Sequence, residues 1–273
     1  MSRQVARVVL YAALLGGAVV ALGPLLWMVS ASLMPAGQAA SSPPPILPDG
    51  PTTTHYRTLV DRLALGRYFV NSTLTALGAT LASVLINSLA GYAFAKLRFR
   101  GRDRMFRGLL GLLVVPAQVG MLPLFLLLRE MHLINTYLGV IIPSMAGVFG
   151  IFLVRQYALS IPQDLLDAAR LDGAGELRIY RSIVLPVMAP ILVTLALFTF
   201  LGTWNDFLWP LIVLSDDRWY TLPVALASLS GEHVQDIELM MAGAVVTVLP
   251  VVIVFVALQR YYIQGIMLGS VKG

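Results

Sequence analysis

Residues 160–190 read SIPQDLLDAARLDGAGELRIYRSIVLPVMAP, the one long polar interruption in an otherwise apolar chain. Asp164, Asp167, Arg170, Asp172, Glu176, Arg178 and Arg181 punctuate it, with Leu165, Leu166, Ala168, Ala169 and Leu171 threaded between them. Ser160 as an N-cap, Pro162 in a first turn and Asp164 at the positive end of the dipole together predict a helix start. The apolar set keeps helical spacing up to Gly173, where glycine can leave helical φ/ψ at low cost and let the chain turn sharply. A second amphipathic run opens at Ala174, and Pro186 marks the start of the next apolar segment. Two short helices joined by a glycine elbow, held between membrane spans, make a docking element.

Outward from this stretch the chain is oily. A mean hydropathy of +0.81, with 58% hydrophobic and 12% charged residues, places it with integral membrane proteins. A soluble fold of that density would expose large apolar patches. The formal charge of +5 does not point to nucleic acid, because the basic residues sit in short loops beside apolar runs. The absence of cysteine excludes disulfide and thiolate chemistry. Arg3 and Arg7 precede an uncharged run at 8–29, long enough to be a retained first span rather than a cleaved signal.

A spanning helix needs about 20 mostly apolar residues. Six segments qualify: 8–30, 69–95, 108–128, 138–154, 187–207 and 239–258. The expected fold is therefore an all-α membrane protein, a single transmembrane domain over 1–273 with six helices and a cytoplasmic loop at 160–186. An even count puts both termini on one side. Fourteen of the nineteen Lys and Arg lie on that side, which makes the termini and the loop cytoplasmic. The proline-rich run 35–54 reads as an extended outer connector, 55–67 as a short surface helix, and 221–229 as a re-entrant or interfacial segment.

The spacing of the polar loop carries a resemblance. Asp167-Ala168-Ala169, three residues, Gly173, nine residues, Ile183, one residue and Leu185-Pro186 resembles the EAA loop of ATP-binding-cassette importer permeases, with Asp where Glu is usual. Asn71-Ser72, Ala93-Phe94-Ala95 followed by Phe99-Arg100-Gly101, Pro116 with Pro123, Thr203-Trp204-Asn205-Asp206-Phe207, Gln259-Arg260-Tyr261-Tyr262 and Val271-Lys272-Gly273 extend it. From about residue 65 onward the chain is similar to the sugar-importer branch, in particular to the shorter, six-span partner of the maltose-transporter type.

That resemblance implies a second permease subunit, two cytoplasmic ATPase subunits that bind ATP and Mg, an external sugar-binding protein, and a multi-pass place in a bacterial-type cytoplasmic (inner) membrane. It also implies an ATPase-coupling set: Asp167, Ala168, Ala169, Leu171, Asp172, Gly173, Ile183, Leu185 and Pro186. Small alanines would allow close approach, the carboxylate would meet a basic rim, and the glycine would set the angle between the two helices.

The chain itself offers little for catalysis. It has no G-x-x-x-x-G-K-[ST] phosphate loop and so no ATP site of its own. His55, His132 and His233 lie far apart, without metal-ligand spacing, and no cofactor is expected on this chain. The candidates for a substrate path or gate are Asn87, Gln118, Trp204, Asn205 and Asp206. Asp206, near the outer end of the fifth span, either offers hydrogen bonds to a sugar beside Trp204, Asn205 and Trp209, or anchors the helix and orders an outer gate. Asn71, Ser83, Asn87, Ser88 and Gln118 need partners within the bundle or along a wet path. The basic loop 96–107 fixes topology and meets lipid headgroups. Residues 264–273 either reach into the ATPase dimer or fray. The expected function is a path for a sugar or oligosaccharide. Another solute such as a sugar phosphate is the alternative, and an ion-coupled secondary transporter is opposed by the lack of midplane Asp, Glu or His.

Overall fold

The computed structural model describes residues 3–61, 63–232 and 236–270. Arg62, His233 and the terminal Val271-Lys272-Gly273, all part of the sequence reading, lie outside the described residues. Within them every regular element is helical and no strand occurs. In chain order the α-helices are α1 (Arg3–Ala31), α2 (Thr54–Asp61), α3 (Leu65–Lys96), α4 (Arg102–Leu112), α5 (Met121–Glu130), α6 (Tyr137–Ser144) and α7 (Val148–Leu159). There follow α8 (Gln163–Leu171), α9 (Glu176–Ile179), α10 (Leu185–Val187), α11 (Ala189–Trp204), α12 (Leu208–Val213), α13 (Leu222–Glu232) and α14 (Ile237–Ser270).

Three helices, over Arg7–Ala31, Leu65–Lys96 and Ile237–Gln259, are long and apolar enough to cross a membrane. They cover the runs expected at 8–30, 69–95 and 239–258. The 32 residues of α3 extend about 48 Å at 1.5 Å per residue, more than a ~30 Å hydrocarbon core requires. Its polar side chains do not break it, because Thr73, Thr75 and Thr80 each donate to the carbonyl four residues earlier.

The other three expected spans are bent pairs. Proline marks two of the breaks and an extended glycine the third. Arg102–Leu112 meets Ala117–Glu130 at 98°, where Pro116 has φ −59° and ψ 131° and the residue before it is steered away from helix. Tyr137–Ser144 meets Val148–Leu159 at 43°, just after Pro143 and at the extended Gly147. Glu176–Val187 meets Ala189–Trp204 at 78°, where Pro190 cannot donate to the residue four earlier. Counting each bent pair as one span gives six.

Contacts divide the chain into two compact units. One comprises Met1–Arg67 with Ala225–Pro250. In it α1 is apolar and exposed along most of its length and buries only its end, where Ala31, Met34 and Ala39 pack with Trp27, Ile237 and Met241. The buried Glu238 carboxylate accepts the Ala39 amide at 2.7 Å, and His55 Nε2 meets the Met34 carbonyl at 2.9 Å.

The other unit comprises Tyr68–Val224 with Val251–Gly273. Its largest core joins Tyr92, Val154, Ala158, Leu166, Ile179, Tyr180 and Val184 with residues of α11. Close approach is built by glycines: a Cβ on Gly91 would lie 2.6 Å from Val154 Cγ1 and 2.9 Å from the Arg155 nitrogen. At the opposite end of α3, Asn71 is clasped on three sides. It donates to the Arg218 and Tyr220 carbonyls at 2.9 Å each and accepts from the Tyr137 hydroxyl at 2.8 Å. Asn135 holds the same loop by accepting the Ser215 and Asp216 amides.

Candidate coupling site

The loop opens differently from its expected start. Ser160 ends α7 as its C-cap rather than opening α8, and the first helical residue is Gln163, after an extended Pro162. The proline fixes φ, and its ring disfavours helix in the residue before it. α8 then presents two faces. Leu166 is fully buried in the core, while Leu165 is 43% exposed and Leu171 90% exposed.

The elbow at Gly173 has φ +80°, the left-handed region that favours glycine. The Ala174 amide donates to the Ala169 carbonyl and the Gly173 amide to the Arg170 carbonyl, both at 3.0 Å. This crossed pair is the Schellman closure of a helix C-terminus. Ala169 and Ala174 both pack on the core below, the apolar contact that accompanies such a closure. A Cβ at Gly173 would meet nothing within 4 Å. Backbone conformation, not crowding, therefore requires glycine there.

Beyond the elbow, α9 runs without interruption through a π turn, Tyr180–Val184, into α10. The helix therefore passes through Pro186 and breaks only at Met188. Ile183 and Leu185 are half-buried against the core, and Pro186 is exposed.

Charge ties the two sides of the elbow together. Arg170 donates to Asp167 Oδ1 at 2.6 Å and to Glu176 Oε1 at 2.8 Å. Asp167 also accepts from Gln163. The Arg170 guanidinium, with the Gln163 amide, holds the Asp167 carboxyl below the usual range, and the two carboxylates push Arg170 upward. The Asp167 carboxylate thus has a cationic partner within its own loop. Ala168, Leu171 and Asp172 stand exposed beside it, above a polar hollow of about 540 Å³ lined by Lys96, Arg98, Gln163, Asp167, Arg170 and Glu176.

The residues expected along a substrate path stand in three settings. Asn87 is buried; its Nδ2 donates to Ser83 Oγ at 2.7 Å, and its Oδ1 has no protein partner. Gln118 is exposed on the short turn before α5. Trp204 is 1% exposed, edge-on to Phe69 and stacked with Phe200 at 5.7 Å. Asn205 donates back to the Leu201 carbonyl, and Asp206 accepts the Trp209 amide at the start of α12. Trp204, Asn205 and Asp206 form one helix end, with the ring spent on packing.

Sequence reasoning did not find the partners of the loop on α3. Tyr92 donates to Glu176 Oε2 at 2.9 Å. Ser88 lies 2.6 Å from the Tyr180 hydroxyl. Lys96 reaches the Ile161 carbonyl at 2.6 Å and that of Leu159 at 3.3 Å. The available signal was three polar residues at four-residue spacing near the end of an apolar helix.

Among its described residues the chain thus joins helices long and apolar enough to cross a membrane to a polar loop with an exposed end. Its residues 83–267 match the model of the family described as binding-protein-dependent transport system inner membrane component, and the chain belongs to that family. It is 38% identical over 94% of its length, and 93% of the relative, to the arabinooligosaccharides transport system permease protein AraQ of Halalkalibacterium halodurans. It is 33% identical to the lactose transport system permease protein LacG of Rhizobium radiobacter, covering 100% of this chain and 98% of the relative. Among solved structures it is similar to a chain of a bacterial ABC transporter involved in the import of the acidic polysaccharide alginate. The TM-score there is 0.83, at 26% identity over 96% of this chain and 99% of the other.

Proposed function

We propose that the chain is the permease subunit of an ATP-driven importer and forms, with a second permease, the path for a sugar or oligosaccharide. The observation that carries this is the loop itself: a rigid glycine elbow that leaves Leu171 90% exposed on a helix whose other face is anchored in the core. Such an apolar knob on a polar loop is placed where a partner surface can cover it. ATP and Mg bind on two separate ATPase subunits, and an external binding protein delivers the solute. The names of the relatives support carbohydrate as cargo.

In this reading the whole chain serves as one permease domain in a bacterial-type cytoplasmic membrane. Each bent pair crosses once, giving six spans, and the basic excess puts both termini and the loop in the cytoplasm. Asp167, Ala168, Ala169, Leu171, Asp172 and Gly173 form the surface that the ATPase grips. Ile183, Leu185 and Pro186 carry its motion into α11. Trp204, Asn205 and Asp206 order the outer end of that helix as a gate, and Asn87 and Gln118 belong to the path or its packing.

Uptake of a panel of radiolabelled oligosaccharides into proteoliposomes holding the complete complex tests this. ATP inside and binding protein outside are both required on this account, and uptake survives collapse of the proton gradient. Uptake that stops on that collapse while internal ATP is held constant identifies an ion-coupled transporter instead.

A further inference from the structure

Ser88, Tyr92 and Lys96 are four residues apart, so they form one stripe on α3. Each makes a polar contact with a different part of the coupling loop or its flanks. Ser88 lies 3.0 Å from the Leu85 carbonyl, to which it can donate, and 2.6 Å from the Tyr180 hydroxyl, a contact in which either oxygen can be the donor. Tyr92 donates to one oxygen of Glu176, whose other oxygen is held by Arg170 of α8. Lys96 supplies its charge to the carbonyl end of α7, the favourable end for a cation. The Tyr92 and Tyr180 rings, 5.7 Å apart, pack beside these contacts. Ser88 and Tyr92 are themselves buried.

None of these side chains belongs to the spaced loop motif, and α3 is not a sequence neighbour of the loop. The continuity from Leu171 through Arg170 and Glu176 to Tyr92 is nonetheless unbroken. We propose that Tyr92 is a positioning residue for transport: through Glu176 it makes α3 move with the coupling loop, alongside the helices the loop connects directly. The proposal rests on the permease reading above. Motion of the ATPase then reaches the bundle by three helices rather than two.

The test uses the complete importer in proteoliposomes. Tyr92→Phe removes one hydroxyl and keeps the ring on Tyr180. The expected result is a normal content of bound ATPase with uptake per ATP hydrolysed lowered roughly two- to tenfold, the factor corresponding to one hydrogen bond. A purely structural hydrogen bond would lower the melting temperature and leave that ratio at the native value, which overturns the proposal. A second measurement does not depend on the variant folding. The chain has no cysteine, so spin labels at Leu89→Cys and at Arg178→Cys, an exposed position of α9 outside the gripped surface, with Tyr92 intact and the partner subunits free of cysteine, report the distance between α3 and the loop. It stays constant between nucleotide-free and ATP-trapped complexes if the two move together, and a change of several ångströms overturns the proposal. A native complex without ATP-driven uptake would count against the permease reading instead, before any variant is made.

Discussion

At the level of single residues, two positions in the loops illustrate different kinds of constraint. Gly173 is conformational: its φ is +80° and its surroundings are empty. Gly173→Ala should lower stability by about 1–2 kcal/mol, and Gly173→Asn by less, because Asn tolerates the left-handed region. Thermal unfolding of the detergent-solubilised chain measures both; equal losses would point to a contact not made by the backbone. Asp216 is electrostatic. It accepts from Arg218 Nη2 at 2.6 Å and from the Arg218 amide at 3.0 Å, which lowers its carboxyl to about 2. A carboxyl depressed on folding stabilises the folded state above its unfolded value, near 3.9, and loses that contribution as pH falls through the folded value. The melting-temperature gap between the native chain and Asp216→Asn should therefore be present at neutral pH and close as pH approaches about 2. A gap constant over that range contradicts the assignment. The pair is exposed and the gap should be small.

Between elements, the tightest test of packing is where helices meet at glycine. Gly91→Ala drives a methyl into Val154 and the Arg155 backbone, and backbone cannot yield as a side-chain tip does. A loss of about 1–3 kcal/mol is expected. Gly111→Ala, on α4 with nothing within 4 Å, should be neutral or stabilising by up to about 1 kcal/mol from helix propensity alone. Denaturation of the two variants side by side separates the effects, and similar values would refute the close contact of α3 with α7. The elements also mark what was readable in advance. The three long helices and the elbow at Gly173 follow from hydropathy and from glycine chemistry, which are local, whereas the exposure of Leu171 does not follow from its hydropathy. The bends at Pro116, Gly147 and Pro190 were not evident. Proline within a span announces lost hydrogen bonds, but whether the helix kinks or folds back depends on what packs beside it. Ser160 shows the same limit: a good N-cap residue two positions before proline became the end of the previous helix.

On the scale of the whole molecule, the family followed from spaced motifs spread over most of the chain, and the comparisons agree with it. The grip of Ser88, Tyr92 and Lys96 on the loop did not follow, since it joins residues 65 to 92 positions apart and pairwise contacts of that kind leave no local periodic trace. The same holds for Trp204. Its type and place left stacking on a sugar and an anchoring or gating role both open, and the rings of Phe69 and Phe200 pack against it, a distinction that only the fold can draw.

The central claim is that the exposed loop is the seat of an ATPase, and purification of the tagged chain from its membrane in mild detergent tests it most directly. Leu171→Asp is the variant to compare, because a side chain 90% exposed can be changed without disturbing the core. The account predicts that the native chain brings down an ATPase and a second permease, whereas the variant keeps the permease and loses the ATPase. A native chain that purifies alone and folded, or an ATPase retained equally by both, would contradict it.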